Sequence, residues 1–559
     1  MIKVDIKTNM KNLKNMTYDK KVSIKDLSSD LIGIDLQTGD GFNHVVTYKI
    51  NNQYVHGNTV ISKDSELEAV YLYSPQGLKI YQDFLIFLLN MAVFRLYGID
   101  KVLSIEHSIG DGIYCEFLDE YIDEKILEDI KSEMKSLISQ KIPIEKIAVP
   151  IDEAYEIAES LNRIDILKNL NFNNKRFVEL YKAEDFYDYY PRPLAPHTGC
   201  ADKYEILQAN NGFILRFPSV SEGVLSESFV LPKLLFSQNQ EHDKWLKILN
   251  VETVGDLNNL IYKKQIRDFI LTEEALHEKK IATIADYIKI LKTAKFVLIA
   301  GPSSSGKTTF AKRLAVQLKV NGYEPFVLGL DDYFLPRTQT PRHENGNYDF
   351  ESIYALDLEL INSDLTALLR GDEISLPRYN FFTGDREMSN HTMKLGPENI
   401  LIIEGIHGLN EQLTSSIPIE YKVKIYISAL NQLNIDYHNR IPTTECRKIR
   451  RIVRDAQYRG YSAEETLQRW SSVREGEDKN IFPFQEEADF MFNSSLTFEL
   501  GVLKKHLMPM LRSIKYKSAV YNEAQDLISL LDHFLDIKDE LVPNNSILRE
   551  FLSGSVFEY

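Results

Sequence analysis

Cysteine is scarce in this chain of 559 residues. There are three, Cys115, Cys200 and Cys446, and no two form a C-x-x-C pair. This excludes a disulfide framework and the common zinc frames, and it suits a reducing cytoplasm. An excess of basic charge is also missing. The 65 Lys and Arg are outnumbered by 81 Asp and Glu, for a formal net charge of −16. That balance disfavours a general nucleic-acid or membrane-surface binder. Long apolar runs are absent too. The most apolar stretch, Phe84–Phe94, is too short to span a bilayer and carries Asn90, so a buried helix is expected there. The opening Met1-Ile-Lys-Val-Asp-Ile-Lys has no apolar core of the kind a secretory signal needs. Repeats of fixed period and low-complexity tracts are not seen. Together these absences predict a cytoplasmic protein with no membrane partner. What is present, 44% apolar and 26% charged residues, suffices for about three or four globular domains.

The most informative segment is Gly301-Pro-Ser-Ser-Ser-Gly-Lys-Thr308, a complete G-x-x-x-x-G-K-[ST] phosphate loop. The apolar run Lys295–Ala300 before it reads as a buried parallel strand. After it, Phe310, Leu314, Ala315 and Leu318 recur at helical spacing through Lys319. Strand, glycine loop and helix are the context this motif needs. Gly301 and Gly306 let the backbone curl its N–H groups toward phosphate oxygens, and the helix N-terminus adds partial positive charge. The nucleotide-binding set is therefore Gly301, Pro302, Ser303, Ser304, Ser305, Gly306, Lys307, Thr308 and Thr309. Lys307 can reach the β- and γ-phosphates, and the Thr308 hydroxyl can ligate Mg²⁺.

Phosphoryl transfer also needs a group to take the acceptor's proton, an acid near the metal, and positive charge around the transferred group. The next apolar run, Pro325–Leu330, ends in Asp331-Asp332. Ligands of open α/β sheets gather at the carboxyl ends of strands. Asp331 is the candidate base, and Asp332 the less favoured one. A third run, Ile400–Ile403, ends in Glu404, placed to hold the metal or its water. In the segment Arg447–Asp455, the residues Arg447, Arg450, Arg451 and Arg454 fall three and four apart. On a helix they share one broad face, where guanidiniums can stabilise a transferring phosphoryl group. Arg450 and Arg454 are read as catalytic with Lys307 and Asp331. Gly460 follows as the end of a lid.

Over residues 296 to about 495, these motifs resemble the uridine kinase and phosphoribulokinase group. The resemblance also rests on Asn347-Tyr-Asp349, Leu376-Pro-Arg-Tyr-Asn-Phe381, Arg459-Gly460 and Ala488-Asp489. It implies an ATP- and Mg²⁺-dependent kinase with Asp331 as base for a sugar 5′-hydroxyl. By the same resemblance Asp349 holds the ribose hydroxyls and Tyr379 and Phe381 bracket the base. Tyr333, Arg386, Arg447 and Arg451 complete the substrate set. Departures concern the base. Gly384 stands where uridine kinases carry a histidine, the signature Asp is Asn380, and two extra residues separate Asn347 from Asp357. The resemblance implies a pyrimidine ribonucleoside as acceptor, with another small alcohol or a sugar phosphate as the alternative.

The fold class expected is multidomain α/β: a C-terminal P-loop kinase, preceded by a β-grasp module and an α+β domain. Residues 1–72 are similar to the TGS module of threonyl-tRNA synthetases, by Tyr48–Tyr54 and Ser62–Glu68. Residues 76–218 resemble the second, editing-type domain of those enzymes, by Glu106–Glu116 and Pro196–Gly199. Its metal-binding pattern is missing: no histidine lies between His56 and His107, and His197 and Cys200 are three apart. His107 is expected to be a hydrogen-bonded structural residue. Residues 219–294 read as a helical bridge, 295–515 as the kinase, and 516–559 as a helical tail. Contact of the N-terminal modules with RNA, an RNA-linked regulatory role, and homo-oligomerisation stay open at this level.

Overall fold

The computed structural model describes residues 2–7, 14–24, 45–218, 225–226, 229–342, 346, 348–380 and 383–558. The chain opens with strands β1 (Ile2–Lys7), β2 (Lys14–Tyr18), β3 (Val22–Ser23), β4 (Val45–Ile50), β5 (Gln53–Val55), β6 (Val60–Ile61) and β7 (Ser65–Tyr71). Five form a sheet of order β2-β1-β7-β4-β5, in which β1 and β7 run parallel. Val4, Tyr48, Ile61 and Leu67 fill its core.

Helix α1 (Pro75–Tyr97) follows. Ser74 caps it by accepting from Gly77 N at 2.9 Å, and Gly98, at φ 61°, ends it. It is longer than the apolar run at its centre. Among the described residues it is the one helix long and apolar enough to cross a membrane, but 78% of its most apolar window is buried inside the protein. Phe84, Phe87 and Leu88 pack against Ile105 and Ile113 of the hairpin β8 (Leu103–Ile109) and β9 (Gly112–Phe117), and against Met134 of α2 (Glu124–Gln140). Strand β10 (Glu145–Pro150) comes next.

The stretch Ile151–Leu170 forms two helices, α3 (Ile151–Ser160) and α4 (Ile164–Leu170). Asn162 takes a left-handed φ of 55° between them. The break turns Arg163 inward, where it meets Asp165 at 2.7 Å and Asp188 at 3.4 Å. Pairing a buried guanidinium outweighs continuing the helix. Strands β11 (Phe177–Ala183), β12 (Phe186–Asp188), β13 (Glu205–Ala209) and β14 (Gly212–Arg216) complete this half. Strands β8 to β14 form two sheets among the described residues, of order β10-β11-β12 and β13-β14-β9-β8. His107 is buried as expected, yet neither ring nitrogen has a hydrogen-bond partner among the described residues. Its ring stacks on Tyr114 at 5.4 Å and 29°. Burial drops its pKa to about 3 and keeps it neutral, so stacking holds this residue in place of the expected hydrogen bonds.

Helices α5 (Lys233–Leu249), α6 (Val254–Tyr262) and α7 (Ile266–Leu291) lead into the C-terminal sheet. Here β15 (Phe296–Ala300) is followed by α8 (Lys307–Val320), β16 (Glu324–Gly329), α9 (Leu358–Arg370), the hairpin β17 (Ile374–Asn380) and β18 (Asp385–Met393), then β19 (Asn399–Glu404) and β20 (Lys422–Ser428). After them come α10 (Thr443–Tyr458), α11 (Ala463–Gln468), α12 (Trp470–Asn480), β21 (Phe490–Asn493), α13 (Glu499–Arg512) and α14 (Tyr521–Asp532). The sheet order is β16-β19-β15-β20-β21 and every pairing is parallel. Strand β15 is central and buried on both faces, as its unbroken apolar run requires. One face packs on α7, α8, α10, α13 and α14 through Val297, Ile299, Phe310, Ile449, Leu503 and Leu527. The other packs on α9 through Leu298, Leu328, Leu365 and Ile403. This is a P-loop kinase fold. Helix α7 of the expected bridge and α14 of the expected tail share its core.

The segment between β20 and α10 is plugged into the N-terminal half. Ile105 N donates to Tyr437 O at 2.8 Å, and Asn434 Nδ2 to Ile105 O at 3.0 Å. His438 meets Asp188 at 2.7 Å. The front half thereby fixes where α10 begins. A cavity of about 1120 Å³ lies beside this junction, lined by Lys79, Asp83, Arg192, Arg440, Glu445 and Trp470 among others.

Candidate active site

The loop between β15 and α8 folds tightly because its glycines allow it. A Cβ on Gly301 would lie 2.0 Å from Ile427 O, and one on Gly306, at φ 85°, would lie 2.5 Å from Ile547 Cγ2. Ser304 is left-handed at φ 61°. The first bond within α8 runs from Phe310 N to Gly306 O at 3.0 Å. The N–H groups of Lys307 and Thr308 thus make no bond within the helix and are available to an anion; that of Thr309 is taken by a distant carboxylate. The Ser304 and Ser305 hydroxyls are buried without a partner among the described residues, which suits a phosphate guest. Lys307 Nζ folds back to donate to Gly301 O at 2.9 Å and Pro302 O at 3.2 Å.

Strand ends bring the acids to this loop. Thr308 Oγ1 donates to Glu404 Oε1 at 2.9 Å. Burial raises the Glu404 carboxyl above its ordinary value, opposed by Lys307 and the Thr308 hydrogen bond. Asp331 sits on a short turn after β16, exposed to the cleft. Crowding by the surrounding protein raises its carboxyl too, with Lys307 pulling it down and Asp332 pushing it up. Lys307 thus feels the charge of both Asp331 and Glu404, which places the two carboxylates on its side of the loop. Asp332 is used elsewhere: its Oδ1 accepts from Tyr379 N at 3.3 Å. The hard oxygens of Thr308, Glu404 and Asp331 suit Mg²⁺, which takes few protein ligands and keeps phosphate oxygens and waters.

The arginine segment is helical, and its four arginines are divided. Arg447 Nε donates to Ser303 O at 3.0 Å, and its other arm pairs with Glu477 of α12. Arg451 Nη1 donates to Ser303 Oγ at 2.8 Å. Arg454 lies 2.8 Å from Asp455, which also gathers Arg451 at 3.3 Å and Arg459 at 3.6 Å. Three guanidiniums on one carboxylate leave net positive charge at the mouth of the cleft. Arg450 has a different place. It is fully buried, pairs with the equally buried Glu499, and donates to Ser304 O at 3.3 Å and Ser494 O at 2.8 Å. It supports the loop from behind, away from the open side of the cradle.

Other expected residues are more dispersed. Tyr333 is buried with its hydroxyl donating to Asp364 at 3.0 Å, and Arg386 pairs with Asp357 at 2.8 Å. The first ties the turn after β16 to α9, and the second ties β18 to the N-cap of α9. Tyr379 is buried against Phe334, ring centroids 5.6 Å apart. Asp349 lies close enough to His407 to affect its charge. Phe381 and Asn347 lie outside the described residues.

Several residues at the site were not singled out from sequence. Glu477 accepts from Ser303 N at 3.0 Å. Glu550 accepts from Thr309 N at 3.2 Å and Thr309 Oγ1 at 2.8 Å. Burial and Glu477 raise Glu351 to about 7, against Arg451 and Lys307. His407 is buried and held neutral at about 4, mainly by burial. No short motif marks Glu477 and Glu550, which reach the loop from distant elements.

Residues 296–500 match the Phosphoribulokinase / Uridine kinase family. The protein is a kinase, with a domain of that family at its C-terminal side. The chain is similar to a uridine kinase of Ureaplasma parvum serovar 3, 27% identical over 199 residues, which covers 35% of this chain and 87% of that protein. A uridine kinase of Staphylococcus aureus is 27% identical over 202 residues, covering 36% and 88%. Among solved structures, a possible uridine kinase from Bacillus stearothermophilus aligns over 38% of this chain and 98% of its own, at 20% identity and a TM-score of 0.27.

Proposed function

We propose that this kinase transfers the γ-phosphoryl group of ATP, bound with Mg²⁺, to the 5′-hydroxyl of a nucleoside of uridine or cytidine type. The observation that carries this reading is the convergence of Lys307, the Thr308–Glu404 pair and Asp331 beside the open N–H groups of the loop. Asp331 removes the hydroxyl proton as that oxygen bonds to the γ-phosphorus. The bond from phosphorus to the β–γ bridging oxygen breaks, and ADP leaves. Lys307 turns from its carbonyl partners to the phosphates. Mg²⁺ would be held by Thr308 and Glu404 and would neutralise charge on the β- and γ-oxygens. Arg451, Arg454 and Arg459 supply positive charge from the lid side, and Arg450 positions the loop. Uridine kinase relatives support the acceptor class, while Gly384 and Asn380 leave the choice of base to experiment.

For the front half, the mixed sheet of residues 1–72 and the helix-on-sheet unit of 76–218 support the reading as TGS-like and synthetase-like modules ahead of the kinase. The anchoring of the segment before α10 supports a scaffolding role for them.

The test is an acceptor screen. Purified protein with ATP and Mg²⁺ is offered nucleosides, sugar phosphates and other small alcohols, with products read by mass spectrometry. A pyrimidine nucleoside 5′-monophosphate is expected. Phosphorylation of a non-nucleoside alone would overturn the acceptor assignment and leave the kinase standing.

A further inference from the structure

The segment from Ser546 to Leu552 has no part in the mechanism above, yet it is docked on the phosphate loop. Ser546, Ile547, Leu548, Phe551 and Leu552 are buried, four of them at 0% exposure. Ile547 closes on Gly306, and the Phe551 ring lies 5.1 Å from the Arg450 guanidinium. Tyr458 at the end of α10 donates to Leu552 O at 2.9 Å. This packing delivers one acid to the cradle: the Glu550 carboxylate takes the N–H and hydroxyl of Thr309.

Thr309 is the third residue of α8. Its N–H is the last of the N-terminal donors that make no bond within the helix, next in the row after those of Lys307 and Thr308. A carboxylate there is chemically an anion already seated in part of an anion site. A second anion cannot share that donor without facing a like charge at close range in a partly buried place.

We infer that Glu550 is an internal competitor for the donor's phosphate chain, occupying the Thr309 donor until a polyphosphate displaces it. This rests on the reading that ATP binds in the cradle. Glu550 thereby sets donor affinity, and it disfavours ligands too weakly held at Lys307 and Thr308 to displace it.

The experiment compares full-length wild type with Glu550→Gln, which keeps an oxygen for Thr309 but removes the charge. Glu550→Asp is the second variant; it keeps the charge and withdraws it by one methylene. Calorimetric titration uses ATP, inorganic tripolyphosphate and adenosine, on samples with matched melting temperatures. For Glu550→Gln, ATP and tripolyphosphate are expected to bind about tenfold tighter, with adenosine unchanged and KM for ATP reduced at similar kcat. Glu550→Asp should fall between. Unchanged or weaker polyphosphate binding in Glu550→Gln would overturn the inference while the cradle stands. Absence of polyphosphate binding in every variant, wild type included, would overturn the cradle itself.

Discussion

Replacing Arg450 by methionine separates a strut from a catalytic contact. Arg450 and Glu499 are both 0% exposed. The guanidinium makes hydrogen bonds to both Glu499 oxygens, Ser304 O, Ser494 Oγ and Ser494 O. Methionine matches the length of the stem but leaves the Glu499 charge buried, with the N–H of Leu496 as its remaining donor among the described residues. Breaking a buried pair on one side costs about 3–5 kcal/mol. At about 2–4 °C per kcal/mol for a domain of this size, the kinase transition should fall on the order of 10 °C. Differential scanning calorimetry on the full chain reads it directly. Adding Glu499→Gln should return part of the loss, because the orphaned charge is gone. A melting temperature moved by less than about 2 °C, together with a thousandfold fall in kcat, would refute this reasoning and place Arg450 on the substrate.

Asp331→Asn should lower kcat by about 10²–10⁴ while ATP still binds. Because its carboxyl is raised above the ordinary value, activity should be lost, as pH falls, at a higher pH than an unperturbed aspartate would show. The pH profile of kcat/KM checks this, and the acid limb should vanish in the variant. Glu404→Gln should raise the Mg²⁺ concentration for half-maximal activity by about 10–100-fold, measured by metal titration at saturating ATP. Glu273, raised to about 8 mainly by burial, is protonated in the fold and ionised in the unfolded chain above its ordinary pKa. Its cost to stability therefore grows as pH rises toward 8. Glu273→Gln should raise the melting temperature at pH 8 and leave it nearly unchanged at pH 4.5.

The sequence exposes the parallel strands and the phosphate loop because both are local patterns: an apolar run buried on two faces, and glycines at fixed offsets. The run Lys295–Ala300 became β15 (Phe296–Ala300), and Arg447–Asp455 became the middle of α10. What was not legible came from partners far along the chain. The break at Asn162 depends on Asp188 and His438, which no window around it contains. The four arginines share one broad helix face, but Arg454 lies about one turn beyond Arg450 along the axis. Arg450 is fully buried at its level of the helix, while Arg454 is partly exposed. Glu477 and Glu550 touch the loop from 174 and 241 residues away.

The last of these separations bears on how the enzyme is made. The Gly301–Thr308 motif emerges from the ribosome long before Ile547 and Phe551 exist to close over it. Until translation passes Leu552, the nascent domain carries an unfilled apolar face beside its nucleotide loop, a natural client surface for chaperones. Packing of the loop is thereby tied to synthesis of the segment through Leu552.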